Sequence, residues 1–395
     1  MKILYLTEDF FASKVHYNLL INELQQKVDL EVFVFSPLRD ANRKDLSVSY
    51  LAHKRLHIVS PQIDINKLWY RFWFSAKLRC KLRLIEQTIP VSELDGIHAS
   101  TLYSEGGVAF LLHKKYGLPY LVSLRGSDVH MYSKVMFHLW PLGNHIIRQA
   151  NSITSVTSAI KNRLVRMIQY YPNKKRLEDC AVINNGIDKV WLDNLNVTSK
   201  KIGECIKVLF IGRFDDNKNI LRLIESVRSL RKEFDLKLLM IGGHGRHHEN
   251  VLKLVGENDY LEYLGEIYDK DRLRDIIRGC DIYAMCSHSE TFGLVYAECL
   301  SQGLPILYSR GTGFDGLYPN GHVGFGVDSS STKDISKGIK EIILHYDDLR
   351  DNISRLDFHR YDWPNIAKRF LTIINQNVIR SSFKESEESI EEVLL

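Results

Sequence analysis

A chain of 395 residues is too long for one ordinary hydrophobic core, and its length predicts two domains. Its composition, 45% hydrophobic and 26% charged with a formal charge of +5, excludes a disordered or low-complexity protein. No apolar run reaches the roughly 18 residues of a transmembrane helix and the six cysteines form no CxxC pair, so we expect a cytoplasmic protein with reduced thiols.

Short apolar runs recur along the chain and predict buried parallel strands. Strands covered by helices on both faces show continuous rather than alternating hydrophobicity. The runs are residues 2–6, 31–35, 119–124, 152–156, 207–212, 236–242, 281–286 and 304–309. The stretches between them carry apolar residues at three- and four-residue spacing, which predicts helices. This alternation predicts an α/β protein with two doubly wound, Rossmann-like parallel sheets.

A polar stretch at 195–204 precedes the strongest strand of the second half, and we place the domain boundary there. The predicted domains are 1–195 and 196–360, followed by a helical segment at 361–395 that returns toward the first domain and ends in an acidic tail. Two doubly wound sheets in one chain create a cleft between them. Ligands of such sheets bind beyond the carboxyl ends of the strands, so the loops at those ends are the candidate sites.

Residues 65–86 interleave basic and aromatic side chains within the basic half of the chain. Such interleaving is typical of a helix lying on an anionic membrane surface and would suit a lipid-linked substrate. The alternative is an ordinary domain helix with its aromatics in the core and its cations in water. No recognition module for nucleic acid accompanies the segment, so no nucleic-acid partner is expected. The cations are Lys67, Arg71, Lys77, Arg79, Lys81 and Arg83.

The loop after the strand at 207–212 predicts an anion site. Gly212 ends the strand, and Arg213 and Lys218 follow it at an edge where ligands bind. A guanidinium offers a planar fork of donors and an ammonium a movable point charge, which together suit a diphosphate. The alternative, at least as well supported by this loop alone, is that the two cations pair with Asp215 and Asp216 on a solvated turn.

The stretch SHSETFGLVYAE at 287–298 predicts a strand end followed by the start of a helix near Phe292. Ser289 or Thr291 would cap that helix, and the backbone from Phe292 to Leu294, with Gly293 between them, would offer free N–H groups to a phosphate. Glu298 would lie six residues further on, about 9 Å along the axis, where a carboxylate can accept the hydroxyls of a ribose.

Glu290, ahead of that helix, would face the other end of the diphosphate, where a sugar would hang. Acids near a helix start are also favoured by the helix dipole without any ligand, so the spacing alone decides nothing. The glycine-rich strand end at 242–245, with Gly243 in it, supports the ligand interpretation because a backbone there can approach a ligand closely.

These motifs together resemble those of the retaining glycosyltransferases of family four, which have the GT-B fold of two Rossmann-like domains facing a central cleft. The resemblance covers nearly the whole chain and keeps the family's order and spacing. The similar stretches are 94–100, 115–129, 182–188, 212–219, 241–245, 289–298 and 303–313.

The resemblance implies a role for each of the matching residues. Arg213 and Lys218 would hold the diphosphate of a nucleoside diphosphate sugar, Glu290 would contact the donor sugar, and Glu298 would bind the ribose. It also implies retention of configuration, with no cofactor and no metal. Electrostatic stabilisation of the leaving group would then be the main catalytic effect.

Two departures from the family pattern concern the first half. The loop TEDFFASKVHYN after the first strand has Phe11-Ala12 near the place of the usual Gly-Gly pair, and Arg125 stands where many members have a histidine. A permanent cation cannot act as a base but can bind an acidic or phosphorylated acceptor. His16, Arg125 and Asp128 are the acceptor-side candidates.

The sequence therefore predicts a retaining glycosyltransferase that uses a UDP- or GDP-sugar and a saccharide or lipid-linked acceptor, in surface polysaccharide or glycolipid synthesis. The alternatives are a sugar-nucleotide epimerase or phosphorylase of the same architecture and a non-catalytic partner subunit that retains the fold. A dinucleotide oxidoreductase is less well supported, because the first strand is not followed by a GxGxxG turn.

Overall fold

The computed structural model describes residues 1–8, 10–11, 14–38, 53–63, 73–198 and 200–393, with the side chains of all of these except residues 134 and 379–393. The chain forms two compact units. The first comprises residues 1–156, 160–185 and 363–395, and the second comprises residues 157–159 and 186–362. The chain therefore crosses between the units near residues 185 and 362, whereas the sequence analysis places one boundary at residue 195.

The first unit is built on a seven-stranded parallel sheet. Its spatial order is β3-β2-β1-β4-β5-β6-β7, so the order reverses between β1 and β4. β4 and β5 are buried along their whole length, which explains their unbroken apolar character. The strands are β1 Lys2–Leu6, β2 Glu31–Phe35, β3 Leu56–Val59, β4 Gly96–Ala99, β5 Tyr120–Leu124, β6 Ser152–Ser155 and β7 Ala181–Val182.

Helices on this sheet include the last helix of the chain, Trp363–Val393, which lies in the first unit although it follows the second in sequence. Gln26 donates to the carbonyl of Pro364 at 2.6 Å, and Lys27 donates to Asn375 at 2.7 Å. The other α-helices of this part are Lys14–Gln26, Phe74–Thr88, Ser104–Tyr116, Ser133–Val135, Trp140–Gln149, Ser158–Arg166 and Lys174–Glu178.

The second unit is built on a six-stranded parallel sheet of order β10-β9-β8-β11-β12-β13, which reverses between β8 and β11. Its strands are β8 Ile206–Arg213, β9 Leu236–Gly243, β10 Leu261–Tyr263, β11 Ile282–Ala284, β12 Ile306–Ser309 and β13 Gly324–Val327. Its α-helices are Lys189–Leu192, Ile220–Leu230, His248–Glu257, Lys270–Arg278, Leu294–Ser301, Thr332–Leu344 and Tyr346–Ser354. The crevice at the β8/β11 reversal is the place where such sheets bind ligands.

A buried ionic cluster fills the corresponding reversal point of the first unit, beyond the ends of β1 and β4. Lys81 Nζ lies 2.6 Å from Glu8 Oε1 and 3.1 Å from Glu105 Oε1, and Lys77 Nζ lies 2.6 Å from the same Glu8 oxygen. Ser104 Oγ also accepts from Lys81 at 2.9 Å. Burial lowers the pKa of Lys81 because it disfavours the charged ammonium. The carboxylates of Glu8 and Glu105 have the larger combined effect, so the pKa of Lys81 is raised above its usual value.

We expect Lys81→Met to lower the free energy of unfolding by about 3–5 kcal/mol, because it leaves buried carboxylates short of a counter-charge. Lys115→Met is the matched control, since Lys115 forms a 2.7 Å pair with Glu86 on the surface, where such pairs contribute at most about 1 kcal/mol. Urea unfolding followed by fluorescence compares the two variants. Equally small losses of unfolding free energy in Lys81→Met and Lys115→Met would show that the ionic cluster does not stabilise the first unit.

Candidate functional site

The loops that follow β8 and β11 are hydrogen-bonded to each other within the second unit. The N–H of His288 donates to the carbonyl of Asn217 at 2.8 Å, and Asn217 Nδ2 donates back to the carbonyl of Ser289 at 2.9 Å. Asn219 Nδ2 donates to the carbonyl of Cys286 at 3.1 Å. The two loops that the sequence analysis treats separately therefore form one site at the reversal of the sheet.

Lys218 and Glu290 form an ion pair across these loops, with Nζ against Oε1. Both side chains are largely buried, 20% and 13% exposed, so the pair is shielded from bulk water. Lys218 does not use its ammonium on the neighbouring acids; its backbone N–H donates to Asp215 Oδ1 at 2.9 Å instead. For Lys218 the solvated-turn alternative is therefore wrong.

Arg213 pairs with a neighbouring acid on an exposed turn, as the solvated-turn alternative predicts. Its guanidinium lies 2.9 Å from Asp215 and its side chain is 69% exposed. Asp216, the other acid of the turn, pairs with Arg246 and, at 2.9 Å, with His247. Arg213 thus stands at the mouth of the site with a weakly held, exposed guanidinium, whereas Lys218 stands inside it.

Glu290 is fixed by the loop after β12, a contact that the sequence analysis did not assign. Thr312 Oγ1 accepts from the N–H of Glu290 at 2.8 Å and donates to its carbonyl at 2.9 Å, and the N–H of Gly313 donates to that carbonyl at 3.1 Å. A Cβ on Gly313 would lie 2.6 Å from Glu290 Cβ. Thr312 and Gly313 therefore set the position of Glu290.

The helix beside Glu290 begins at Leu294, two residues later than predicted. Neither Ser289 nor Thr291 caps it; its N-cap is Gly293 with φ +80°, and no side chain accepts from its first turn. A Cβ on Gly293 would lie 2.5 Å from the ring of Tyr296. The turn therefore requires glycine both for its positive φ and for lack of space. The N–H of Tyr296 donates to the carbonyl of Gly293 at 3.0 Å. The N–H groups of Leu294 and Val295, ahead of it, are of the kind that a helix start directs toward its N-terminus without an i−4 partner.

Glu298 lies in the second turn of this helix, about 6 Å along the axis from Leu294 rather than the predicted distance of about 9 Å. Burial raises the pKa of Glu298 to about 7, although the charge of Lys270 and the indole of Trp191 favour the carboxylate. The side chain therefore titrates near neutral pH in the absence of a ligand.

A glycine-rich turn ends β9 beside the end of β8. Gly242, Gly243, His244 and Gly245 all have positive φ, between 50° and 144°. A Cβ on Gly242 would lie 2.2 Å from the carbonyl oxygen of Gly212, so a side chain at this position would clash with the neighbouring strand. In the register of these strands Gly212 pairs with Gly242, and Arg213 pairs with Gly243. The turn keeps this side of the site free of side-chain bulk.

The three acceptor-side candidates lie in the first unit, at or near the ends of its strands. Asp128 is fully buried and accepts from the N–H groups of Leu102 and Arg125, at 3.1 and 2.8 Å. Burial raises the pKa of Asp128 to about 7. Its two oxygens hold the loops after β4 and β5 together, which is a supporting role.

His16 is 5% exposed, and its Nδ1 lies 2.6 Å from Tyr5 Oη. Burial, together with the charge of Arg125, holds the pKa of His16 well below its usual range. Arg125 donates through Nε to the carbonyl of Ser100 at 2.9 Å and is half-buried. Of the three candidates, Arg125 is the side chain best placed to meet a ligand.

The basic segment 65–86 is described from residue 73 onward, and residues 65–72 lie outside the described residues. In the helix Phe74–Thr88, Arg79 and Arg83 are exposed, but Lys77 and Lys81 are buried in the ionic cluster of the first unit. For these two lysines both interpretations were wrong, because they face neither a membrane nor water.

The described part of the chain contains no group of three or more His, Cys, Asp or Glu side chains that could hold a metal ion. None of its helices combines the length and hydrophobicity that crossing a bilayer requires.

Two family models match this chain, one on each half. Residues 14–190 match the model described as Glycosyltransferase Family 4, and residues 195–356 match the model described as Glycosyl transferases group 1. The second match contains the whole site around Lys218 and Glu290.

Curated relatives share about a quarter of the aligned residues. An uncharacterised glycosyltransferase of Methanocaldococcus jannaschii is 24% identical over 387 residues, which cover 92% of this chain and 95% of that protein. The N-acetyl-alpha-D-glucosaminyl L-malate synthase of Bacillus anthracis is 25% identical over 246 residues, which cover 59% of this chain and 61% of that protein.

Solved structures share the architecture at lower identity. HepE of Anabaena in complex with UDP superposes with a TM-score of 0.69 at 18% identity, covering 95% of this chain and 100% of that chain. The lipopolysaccharide outer core galactosyltransferase WaaB superposes with a TM-score of 0.70 at 16% identity, covering 95% and 99%. At this identity the likeness establishes the fold.

Proposed function

This chain belongs to the family four, group 1 glycosyltransferases and has the GT-B fold, and from that premise we propose that it is a retaining enzyme whose donor is a nucleoside diphosphate sugar. Its acceptor would be a saccharide or a lipid-linked saccharide, in the synthesis of a surface polysaccharide or glycolipid. The structural neighbour named as a lipopolysaccharide outer core galactosyltransferase is consistent with such an acceptor.

The observation that carries the proposal is the shielded Lys218–Glu290 pair beside the start of the helix Leu294–Ser301. The ammonium of Lys218 and the N–H groups at a helix start four residues after Glu290 are together the donors that a diphosphate requires. Arg213, exposed at the mouth, would leave Asp215 for the same anion. The structural neighbour bound to UDP is consistent with this ligand class.

Donor binding would exchange the partner of Lys218. In the free protein its ammonium is paired with Glu290, and a diphosphate placed against Lys218 would compete for that charge. Glu290, held in place by Thr312, would then be free to accept hydrogen bonds from the hydroxyls of the donor sugar. Glu298 would accept the two ribose hydroxyls from the other end of the nucleotide.

The transfer step would be promoted by stabilising the leaving group. The bond between the anomeric carbon and the phosphate oxygen breaks, and its electrons pass to the diphosphate. The acceptor hydroxyl forms the new bond on the same face and gives its proton to that diphosphate. Lys218, Arg213 and the N–H groups near Leu294 would stabilise the developing charge, which is usually the largest catalytic contribution.

A panel of UDP- and GDP-sugars tests this assignment against its alternatives. We expect slow hydrolysis of one donor in the absence of acceptor, and glycoside formation of retained configuration once an acceptor is supplied. Conversion of the sugar nucleotide into an isomer would indicate an epimerase. Binding without any turnover, across the panel and with acceptors present, would indicate a non-catalytic subunit.

We also propose that transfer needs no metal. The charge of the diphosphate would be met by Lys218 and Arg213, so we expect an excess of EDTA to leave the rate unchanged. The measurement is the initial rate of donor hydrolysis before and after chelation. A loss of rate that Mg²⁺ or Mn²⁺ restores would contradict the proposal.

A further inference from the structure

A long segment of the first unit carries positive charge without any acid. Between Asp128 and Glu178 there is no Asp or Glu, although an even spread of the 48 acids over 395 residues would place about six in those 49 positions. The same segment holds eight Lys and Arg: Lys134, Arg148, Lys161, Arg163, Arg166, Lys174, Lys175 and Arg176. Its charge is therefore one-sided over its whole length.

The same segment exposes large apolar side chains. Single exposed apolar residues are normal on a soluble protein, but five within one acid-free segment form a pattern that needs a partner. Their exposed fractions run from 45% to 84%. The residues are Met131, Val135, Phe137, Ile168 and Tyr171.

Hydrogen bonds join the two stretches that carry these side chains. Ser133 Oγ lies 2.8 Å from Tyr170 Oη, and Gln169 Nε2 donates to the carbonyl of Ser133 at 3.4 Å. Tyr170 is 1% exposed and Tyr132 is 6% exposed, so both stretches are anchored in the core by neighbours of the exposed residues. We call residues 131–137 together with 166–175 the basic apolar surface.

Exposed cations border the apolar side chains. Arg166 lies two residues before Ile168, and Lys174 and Lys175 lie three and four residues after Tyr171. The two lysines pair with Glu178 and Asp179 at 3.7 and 3.1 Å, but such exposed pairs contribute little and are easily exchanged.

We propose that the basic apolar surface binds a membrane whose lipid headgroups are anionic. Aliphatic side chains such as Val135 and Ile168 enter the acyl boundary, while the surrounding cations meet the headgroups. A nucleic acid is a poorer match, because single strands stack on aromatic rings and aliphatic side chains offer no such platform. A second copy of the chain would bring like charge against like.

This inference goes beyond sugar transfer, because no residue of the surface belongs to the site around Lys218. It also differs from the membrane helix expected at 65–86, since the surface is formed by residues that follow β5 and precede β7. Its failure would leave the proposed reaction intact.

The test is sedimentation of the full chain with phosphatidylcholine vesicles, with and without phosphatidylglycerol. We expect binding to the anionic vesicles and little to the neutral ones. The triple variant F137S/I168S/Y171S should bind at least about tenfold more weakly, and K174Q/K175Q about fivefold more weakly for each charge removed. Donor hydrolysis confirms that each variant is folded.

The control variant V28S/Y268S/L344S removes three apolar residues elsewhere that are equally exposed, at 82%, 85% and 62%. It should bind anionic vesicles like the unaltered protein. Equal weakening by both triple variants, equal binding to the two vesicle types or no binding to either would overturn the proposal. Two further outcomes without vesicle binding would overturn the proposal by assigning the surface to another partner. One is binding of the protein to RNA, and the other is a dimer of the unaltered protein that F137S/I168S/Y171S cannot form.

Discussion

Lys218→Ala is expected to lower the rate of sugar transfer by a factor of about 10²–10³, the loss that follows removal of one preorganised group that stabilises transition-state charge. Lys218 is 20% exposed and its ammonium is paired with Glu290, which precedes the helix start at Leu294, so the charge acts in a shielded site. The measurement is turnover at saturating donor, with donor affinity determined separately.

The matched control for this prediction is Lys253→Ala, because Lys253 is a 75% exposed lysine of the same unit in a surface pair with Glu257. Its turnover should equal that of the unaltered protein. Lys218→Arg should recover part of the rate, since it keeps the charge with a different shape. Full activity of Lys218→Ala would remove the residue from the reaction.

Glu298→Ala is expected to weaken binding of the free nucleoside diphosphate by at least tenfold, because each hydrogen bond to a charged group contributes about 1.5–3 kcal/mol. Binding of inorganic pyrophosphate should not change, since pyrophosphate has no ribose. Titration calorimetry with both ligands measures the two effects. Unchanged affinity for the nucleotide would exclude Glu298 from ribose binding.

The raised pKa of Glu298 adds a pH dependence to that prediction. The carboxylate is the form that accepts two hydroxyls, and with a pKa of about 7 it rises from about one tenth of the molecules at pH 6 to about nine tenths at pH 8. Nucleotide affinity should therefore rise with pH by about ninefold over this range. In Glu298→Gln that part of the pH dependence should vanish, whereas in the exposed control Glu257→Gln it should remain.

The raised pKa of Glu298 also predicts that stability changes with pH, in the direction opposite to nucleotide affinity. A carboxyl whose folded pKa lies above its unfolded value binds its proton more tightly in the folded state, so its contribution to stability is lost as pH rises from about 4.5 to about 7. Glu298→Gln should therefore be more stable than the unaltered protein at pH 8 without ligand. This gain follows from burial of the carboxyl alone, whereas the loss of nucleotide binding requires its contact with the ribose.

The general architecture could be predicted from sequence because buried parallel strands leave continuous apolar runs. The missed strands are short: β7 spans two residues, β10 three, and β3, β4 and β13 four each. Runs of this length cannot be told from buried helix or loop by periodicity. The helix Trp363–Val393 returns to the first unit, as expected for the segment 361–395.

The contacts within the candidate site could not be predicted from the sequence. Lys218 and Glu290 were proposed because strand ends of doubly wound sheets carry ligand groups, but their pairing joins residues 72 positions apart. Thr312, 22 positions from Glu290, has no side-chain charge to mark it. The helix begins at Leu294 rather than near Phe292, because Gly293 adopts φ +80° and serves as the N-cap. The capping residues Ser289 and Thr291 in the sequence could not reveal this.

Burial of cations was the other failure of sequence reasoning. Lys77 and Lys81 were expected to face a membrane, because basic and aromatic residues interleave in their segment, or to face water on an ordinary domain helix. Their partner Glu8 is 73 positions from Lys81, in the loop after the first strand, and Glu105 lies 24 positions away. Sequence proximity could not indicate such pairs, whereas the acid-free segment between Asp128 and Glu178 was visible in the sequence throughout.

A crystal structure with the nucleoside diphosphate sugar that the panel identifies tests the central claim most directly. We expect the diphosphate within hydrogen-bonding distance of Lys218 Nζ and of the backbone N–H groups at Gly293 and Leu294, with the ribose against Glu298. A diphosphate bound elsewhere, with the Lys218–Glu290 pair still intact, would contradict it.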